Sequence, residues 1–360
     1  GGSEVALIEL INALPEELYN ITLVLLDSDN EYAYRLKKNV NIVQLTFNSS
    51  FAKSLVSMYA FPAKVLKKLS VNSFIAYYDF ISNCVTNVFE KTYDIAIDFY
   101  GYGSFVTAFL ATKIQAKKKA TWLHDEKPYW MKSVQKYLCE YDKIYGVSQA
   151  VVDAFCREYP HYKDKAAVFY NVIDIEEIKR KSEQDEIIPF KESFNIVTVG
   201  RLTEQKGYDI AIKAASILKK RKINFAWYAI GGGRDEKKLK KLVEKYCLEN
   251  QFVFLGRKKN PYPYMKHCDL YVQPSRHEGY VITLVEARAL CLPILSSDIP
   301  SAREQIQDGI NGYVAELSAE DLADKIEYLY NNPSQRKKTV EYLKEHPIDF
   351  STELLKLEII

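Results

Sequence analysis

The sequence predicts an α/β protein built from two Rossmann-like domains that face each other across a cleft. Strand-like and helix-like segments alternate along almost the whole chain, which is typical of parallel sheets with crossover helices. The alternation restarts after a polar, charge-rich stretch at 173–192, and 360 residues are enough for two domains. Ligands of such sheets bind beyond the carboxyl ends of the strands, so loops that follow strands should line the cleft.

Hydrophobic periodicity places the individual elements. It predicts an N-terminal domain at 1–172, a linker at 173–192 and a C-terminal domain at 193–346. The predicted strands are Ile21–Leu26, Val40–Leu45, Asp94–Asp98, Lys119–Leu123, Lys143–Val147, Ala166–Tyr170, Asn195–Val199, Phe225–Ile230, Phe252–Leu255, Asp269–Gln273 and Pro293–Ser296. The predicted helices are Glu4–Ala13, Phe51–Leu69, Ser73–Glu90, Gln149–Glu158, Tyr208–Lys220, Glu236–Cys247, Thr283–Leu290 and Ala319–Tyr330.

The first residues, Gly1–Glu4, form a glycine turn that leads directly into a helix pattern. A helix that starts in this way normally follows a strand in a Rossmann-like domain. We therefore expect that the natural first strand of the N-terminal domain is missing from this sequence.

Composition excludes several classes of function. Lys plus Arg (49) nearly balance Asp plus Glu (47), which argues against a protein that holds nucleic acid through its overall charge. Six cysteines occur without a C-x-x-C pair and five histidines without an H-x-x-x-H pair, so we expect reduced thiols and no metal site. The sequence has no run of eighteen apolar residues and no signal peptide, which predicts a cytoplasmic protein.

The loop Gly200–Gly207 directly follows a predicted strand and opens a predicted helix. Arg201 and Lys206 are two cations five residues apart on this loop, and Gly207 frees the backbone at the start of the helix. An arginine fork together with a lysine ammonium suits a diphosphate. The alternative is a solvated loop with surface cations.

A second loop, 274–281, follows another predicted strand and leads into the helix Thr283–Leu290. Glu278 lies in the loop and Glu286 in the helix, and Gly279 permits a close approach of the backbone. The amides at 282–284 lie at a helix N-terminus, which favours an anion. The two carboxylates could then bind sugar hydroxyls on either side of the phosphates, although either glutamate alone is more often an exposed charge.

These motifs resemble the retaining glycosyltransferases of family 4, whose second domain has a glycine-arginine-leucine turn, a Lys-Gly pair and two glutamates separated by seven residues. The resemblance extends over nearly the whole chain. The further matching segments are Gly1–Glu4, Tyr145–Ser148, Tyr170–Asp174, Phe254–Gly256 and Asp308–Gly312. Cys291 departs from the pattern, because the family usually has glycine there. The resemblance implies the GT-B fold, with residues 347–360 packing back on the N-terminal domain.

The resemblance also implies roles for individual residues. Arg201 and Lys206 would bind the donor diphosphate, Glu286 the ribose hydroxyls, and Glu278 would face the donor sugar. His124 lies at the end of a predicted strand where the family has a catalytic histidine, although a lone histidine there is more often a structural residue. The remaining donor contacts implied are Gly2, Gly279, Thr283 and Leu284.

The resemblance therefore implies transfer of a hexose or N-acetylhexosamine from a UDP-sugar or a GDP-sugar, of which the UDP-sugar is favoured, with retention and without a metal or other cofactor. The acceptor would be a glycan or a lipid-linked sugar, as in the synthesis of bacterial surface polysaccharides or glycoconjugates. Two alternatives stay open: a non-catalytic binding partner with the same fold, and a nucleotide-sugar epimerase of related fold.

Two segments of the first half suggest other partners. Asp27-Ser28-Asp29 mimics a metal-binding Asp-x-Asp motif, but such triplets are frequent by chance in charged loops. Phe51–Ser70 combines apolar residues with four lysines, so it could bind an anionic membrane at the inner face of the plasma membrane. The alternative for this segment is a helix that covers the core of the first domain.

Overall fold

The computed structural model describes residues 2–26, 35–50, 71–101, 104–184, 190 and 193–358. The chain forms two compact units. Unit 1 consists of Gly1–Ile173 together with Phe350–Ile360, and unit 2 consists of Asp174–Asp349. Both units have helices around parallel sheets, which confirms the predicted α/β class with two domains. The cleft between the domains stays a prediction.

Unit 1 contains two parallel sheets. Its strands are β1 (Thr22–Leu25), β2 (Asn41–Gln44), β3 (Tyr93–Asp98), β4 (Ala116–Leu123), β5 (Lys143–Gly146) and β6 (Ala166–Val168). Its helices are α1 (Gly2–Ala13), α2 (Val71–Asn83), α3 (Phe105–Lys113), α4 (Gln149–Glu158) and, near the C-terminus, α13 (Ser351–Leu355). One sheet pairs β1 with β2, and the other has the order β3-β4-β5-β6.

Aromatic side chains form the centre of the larger sheet in unit 1. Trp122 of β4 is fully buried, and its ring lies 4.7 Å from Tyr145 and 5.1 Å from Phe169 between ring centroids. Burial of such large rings supplies much of the hydrophobic free energy of a small sheet. This core fixes the carboxyl end of β4, where His124 follows.

Unit 2 contains one parallel six-stranded sheet with the order β12-β11-β10-β7-β8-β9. Its strands are β7 (Phe194–Val199), β8 (Phe225–Ile230), β9 (Phe252–Gly256), β10 (Leu270–Gln273), β11 (Ile294–Ser297) and β12 (Tyr313–Ala315). Its helices are α5 (Ile175–Ser182), α6 (Tyr208–Lys220), α7 (Glu236–Lys245), α8 (Tyr262–Lys266), α9 (Ile282–Ala289), α10 (Pro300–Arg303), α11 (Ala319–Asn331) and α12 (Pro333–Glu345).

Both faces of this sheet are buried because side chains alternate along each strand. On β8, Phe225, Trp227 and Ala229 belong to one apolar cluster, which includes side chains of α6 and α11. Ala226 and Tyr228 belong to the cluster on the opposite face, which includes side chains of α8 and α9. Continuous apolar strands are typical of parallel sheets covered on two faces.

The strand order of unit 2 determines where a ligand can approach the sheet. The chain proceeds from β7 outward through β8 and β9, then returns to form β10 on the other side of β7. The chain therefore leaves β7 and β10 in opposite directions along the sheet, toward β8 and β11. The ends of these two neighbouring strands form a topological switch point, which is the usual ligand position in such sheets.

The sequence placed eleven strands close to their observed positions but missed several elements. The segment 173–192, predicted as a linker, contains the helix Ile175–Ser182, whose N-cap Asp174 accepts a hydrogen bond from the Glu177 amide. Its helical residues bury only Ile178 and Ser182, and its two isoleucines are too few to stand out among the charged residues of the segment. The other missed elements are Phe105–Lys113, Tyr262–Lys266, Pro300–Arg303, Tyr313–Ala315, Pro333–Glu345 and Ser351–Leu355.

Of two helices predicted in the first half, one is shorter than expected and the other lies outside the described residues. The helix predicted at Ser73–Glu90 runs from Val71 to Asn83, and residue 85 instead forms an isolated antiparallel bridge with Phe47. The helix predicted at Phe51–Leu69 lies outside the described residues, as does the Asp27-Ser28-Asp29 triplet.

Hydrogen bonds of two charged side chains attach the C-terminal segment to the rest of unit 1. The Glu353 carboxylate is nearly buried and accepts a hydrogen bond from the Tyr170 amide at 2.9 Å. Lys356 donates to Glu353 at 2.7 Å and to the Val168 carbonyl at 3.0 Å. The segment after residue 350 therefore packs on the end of β6.

We predict that Glu353→Ala loosens this segment, because the Tyr170 amide loses its acceptor and Lys356 loses its counter-charge. An unsatisfied buried donor costs about 1–3 kcal/mol. Limited proteolysis with trypsin should then cleave after Lys356 several times faster than in the parent. Glu358→Ala, which removes an exposed carboxylate of the same segment, is the control. Equal cleavage rates for the two variants would contradict the assignment.

Candidate functional site

The loops after β7 and β10 are in close contact in unit 2. Gly207 ends the first loop with a φ of +66°, and a Cβ atom there would lie 1.8 Å from the Pro274 carbonyl oxygen. The left-handed backbone and the lack of space both require glycine. The Arg276 amide donates to the Gln205 carbonyl at 2.8 Å, and the Gln205 side chain donates to the His277 carbonyl at 3.0 Å.

A partly enclosed ion pair joins the two loops. Lys206 Nζ lies 2.6 Å from Glu278 Oε1, and the two side chains are only 15% and 8% exposed. The same Glu278 oxygen accepts a hydrogen bond from Ser275 Oγ at 2.7 Å, and Ser301 Oγ donates to the Glu278 carbonyl. Since removing one partner of a buried pair leaves an uncompensated charge, Lys206 and Glu278 stabilise each other.

Next to this ion pair lies a hydrogen-bond network centred on the buried side chain of Gln273. Gln273, the last residue of β10, donates from Nε2 to Ser275 Oγ at 2.7 Å. Its Oε1 accepts from Tyr271 OH at 2.7 Å and from Thr283 Oγ1 at 2.8 Å. The network orients the Ser275 hydroxyl toward Glu278. Gln273 was not among the predicted site residues, although a side-chain amide in an otherwise apolar strand is a signal for a buried polar network.

The other cation of the first loop is placed differently. Arg201 is exposed, while the backbone beside it is held by the bond from the Leu202 amide to the Gly232 carbonyl. No ion pair of its guanidinium is found within the part of the chain that the structure describes. Arg201 thus lies just after the carboxyl end of β7 with its side chain exposed.

The start of α9 supplies the remaining residues predicted on unit 2. Gly279 lies in the turn directly after Glu278. The Thr283 hydroxyl already donates to Gln273, and the Leu284 amide donates to the Val281 carbonyl at 3.0 Å. Glu286 lies one turn further on, and its Oε1 accepts a hydrogen bond from Tyr262 OH at 3.0 Å. Tyr262 is a neighbour of Glu286 that sequence analysis did not identify.

The predicted residues of unit 1 lie at the carboxyl end of its larger sheet and at the start of α1. His124 follows β4, and its Nε2 donates to the Phe99 carbonyl at 2.6 Å. Burial of the ring lowers the pKa of His124 to about 4, although the bond to Phe99 and the charge of Glu4 oppose the shift. The imidazole is therefore neutral at physiological pH. Gly2 is the first residue of α1 and is exposed.

A buried carboxyl group supports the loop that contacts His124. Asp98, the last residue of β3, is fully buried and accepts hydrogen bonds from Thr107 at 2.6 Å, Thr121 at 3.0 Å and the Gly101 amide at 3.0 Å. Burial raises the pKa of Asp98, and these donors counteract part of the effect. Asp98 thereby fixes the chain around Phe99, the residue whose carbonyl orients the His124 ring.

Two other kinds of site are absent from the described residues. Among them, no three His, Cys, Asp or Glu side chains are grouped so that they could hold a metal ion. No helix in the same part of the chain is long and apolar enough to cross a membrane.

Comparison with known structures defines the class of protein first. Over its whole length the chain is similar to the crystal structure of HepE from Anabaena, which was determined with UDP. The TM-score is 0.73 at 17% sequence identity, and the match covers 95% of HepE. This similarity shows a shared fold, the two-domain α/β architecture with parallel sheets.

Sequence comparison then adds a family model. Residues 179–346, which make up most of unit 2, match the model described as glycosyl transferases group 1. An uncharacterized glycosyltransferase of Methanocaldococcus jannaschii is 33% identical over 172 residues, which are 47% of this chain and 40% of that protein. Unit 2 is therefore similar in sequence to the glycosyl transferases group 1 family.

A third relative has a named activity. It is the N-acetylgalactosamine-N,N'-diacetylbacillosaminyl-diphospho-undecaprenol 4-alpha-N-acetylgalactosaminyltransferase of Campylobacter jejuni, 30% identical over 184 residues. The match covers 48% of this chain and 49% of that enzyme. The chain thus spans less than half the length of these two curated relatives.

We predict that His124 stays neutral well below the ordinary histidine range. An unfolded histidine titrates near pH 6.5, whereas the folded ring titrates at about 4. Between these values the unfolded chain binds more protons, so acidification should destabilise the protein by roughly 1.4 kcal/mol per pH unit from this group. Nuclear magnetic resonance of ¹⁵N-histidine-labelled protein, with His124→Gln for assignment, should show an uncharged ring at pH 5.5. A midpoint near 6.5 would contradict the burial argument.

Proposed function

We propose that this chain is a glycosyltransferase that moves a hexose or N-acetylhexosamine from a nucleotide diphosphate donor to a glycan or lipid-linked acceptor. The main supporting observation is the Lys206–Glu278 ion pair, which lies at the switch point of the unit 2 sheet. The family model that unit 2 matches and the glycosyltransferase names of its relatives agree with this proposal.

The two cations of the first loop would bind the donor diphosphate. An ammonium has three N–H donors, and Glu278 occupies one direction of Lys206, so the same group could also donate to a phosphate oxygen. Arg201 offers its planar fork, which matches two phosphate oxygens. Fixed positive charge at the leaving group stabilises the transition state, and we propose that this replaces a divalent metal.

The carboxylates would bind the other two parts of the donor. Glu286 lies one turn into α9 and would accept hydrogen bonds from the ribose hydroxyls. Glu278 would face the sugar, with its orientation set by Lys206 and Ser275. Gly2, Gly279, Thr283 and Leu284 complete the proposed donor contacts.

His124 would position the sugar rather than transfer a proton. A ring with a pKa of about 4 is uncharged near neutral pH and is therefore a poor general acid there. Its hydrogen bond to Phe99 fixes the ring plane and the tautomer. We propose retention at the anomeric carbon without a covalent protein intermediate.

The donor base and the acceptor are proposed from the relatives. HepE was solved with UDP, and the Campylobacter jejuni relative is named for an acceptor linked to undecaprenol diphosphate. We therefore propose a UDP-sugar rather than a GDP-sugar, and a role in bacterial polysaccharide or glycoconjugate synthesis in the cytoplasm. Contact of residues 51–70 with an anionic membrane stays a sequence prediction, since these residues lie outside the described part of the chain.

We predict that Lys206→Ala weakens binding of free UDP by about ten- to a hundredfold. A hydrogen bond to a charged group is worth about 1.5–3 kcal/mol, which corresponds to this range. Isothermal titration calorimetry measures the affinity, with Lys240→Ala as the control, because Lys240 is an exposed lysine of the same unit. Sugar transfer by the parent should continue in the presence of a chelator. Unchanged UDP affinity in Lys206→Ala would contradict the diphosphate assignment, and loss of transfer restored by manganese would contradict metal independence.

We predict that the two glutamates can be separated by substitution. Glu286→Gln should weaken UDP binding, because the ribose loses a charged acceptor. Glu278→Gln should keep UDP affinity at or above that of the parent, since Lys206 is released, while the rate of sugar transfer falls at least tenfold. Calorimetry with UDP and a turnover assay on both variants are the measurements. Identical behaviour of the two variants would show that these roles are wrongly assigned.

A further inference from the structure

A second ion pair joins the loop after β10 to the start of α6. Arg276, in that loop, makes two parallel hydrogen bonds to Asp209: Nη1 donates to Oδ1 and Nη2 to Oδ2, each at 2.8 Å. Asp209 lies in the first turn of α6, two residues after Gly207. Both side chains are less than one-third exposed, at 29% and 27%. Such a bidentate pair fixes both distance and orientation.

Arg276 also contacts the backbone between Arg201 and Lys206. Its Nη1 donates to the Glu204 carbonyl at 2.6 Å, and its amide donates to the Gln205 carbonyl. The Glu204 carbonyl in turn accepts the Gly207 amide at 3.1 Å. One residue, through its side chain and its backbone amide, therefore contacts two carbonyls of the short 3₁₀ turn Glu204–Lys206 from which Lys206 projects.

The electrostatics of the pair agree with a tight contact. The hydrogen bonds and charge of Arg276 lower the pKa of Asp209 despite the opposing effect of burial. The pKa of Arg276 is raised in turn by its bonds to Asp209. The pair is therefore fully charged across the physiological pH range.

We propose that Arg276, fixed by Asp209, is a positioning residue that places the ammonium of Lys206 for the donor diphosphate. This inference rests on the proposed function and adds to it a residue that does not itself touch the donor. Lys206 is the last residue of a turn in which the Glu204 carbonyl accepts from the Arg276 side chain and the Gln205 carbonyl from the Arg276 amide. Loss of the side chain removes its bonds to Glu204 and Asp209, whereas the bond from its backbone amide, the Gln205 side-chain bond and the Lys206–Glu278 pair remain.

The experiment compares Arg276→Ala, Arg276→Lys and Asp209→Asn with a matched control, Arg221→Ala. Arg221 follows the opposite end of α6 and pairs with Asp324 and Glu327, with a side chain that is 35% exposed. It therefore reports the loss of a similar ion pair far from the loops. Thermal unfolding, UDP affinity, donor KM and kcat are measured for each variant.

We expect Arg276→Ala to lower kcat/KM for the donor at least tenfold and to weaken UDP binding, beyond any effect of Arg221→Ala at a similar change in Tm. Arg276→Lys should recover part of the loss, because one ammonium can replace only part of the fork. Equal kinetic parameters for Arg276→Ala and Arg221→Ala would overturn the proposal and leave the ion pair a stabilising contact only.

Hydrogen exchange tests the same inference without reference to catalysis. The amides of Lys206 and Gly207 are hydrogen-bonded to Thr203 and Glu204, so they should exchange faster in Arg276→Ala than in Arg221→Ala. Unchanged exchange would also overturn the positioning role. If the parent protein binds no nucleotide while exchange does increase, the proposed function fails and the positioning of the turn by Arg276 stands.

Discussion

The buried ion pair between Lys206 and Glu278 is the interaction on which the arrangement of unit 2 depends. Either charge alone would be costly in a site that is less than one-sixth exposed, because removing an unpaired charge from water costs on the order of several kcal/mol. The loops after β7 and β10 must therefore come together. The glycine at 207, the network centred on Gln273 and the hydroxyl of Ser275 all serve the geometry of this contact.

Backbone conformation explains one departure from the family pattern. Cys291 replaces the usual glycine and has a φ of +52°. It follows α9, and the next amide, that of Leu292, donates to the Ala287 carbonyl in the pattern of a glycine-type helix ending. The left-handed conformation explains why glycine is favoured here, and a cysteine accepts it at a cost of about 1–2 kcal/mol. Residue 291 therefore lets the chain turn after α9, and we assign it no role in the reaction.

The two units differ in how they hold their proposed functional groups. In unit 2 charges face each other across two loops, whereas in unit 1 the imidazole of His124 is kept neutral by burial and held by a carbonyl. The carboxyl group of Asp98 acts on that ring indirectly. It accepts three hydrogen bonds that fix the loop around Phe99, and the Phe99 carbonyl holds the ring. A fixed neutral ring and a fixed ion pair are both rigid arrangements, which suits groups that position a substrate.

The sequence alone determined the α/β class, the repeat of the strand-helix pattern and the two loops at 200–207 and 274–281. These follow from local patterns: apolar strands, glycines after strands and charges at strand ends. The helix Ile175–Ser182 and the strand Tyr313–Ala315 escaped prediction because 8 and 3 residues are too few to establish a period against their surroundings. Only the tertiary structure decided the partners: Lys206 with Glu278, Arg276 with Asp209, and Gln273 between Thr283 and Ser275. The two ion pairs join residues 72 and 67 positions apart, which become neighbours through strand order, and no local pattern contains that order.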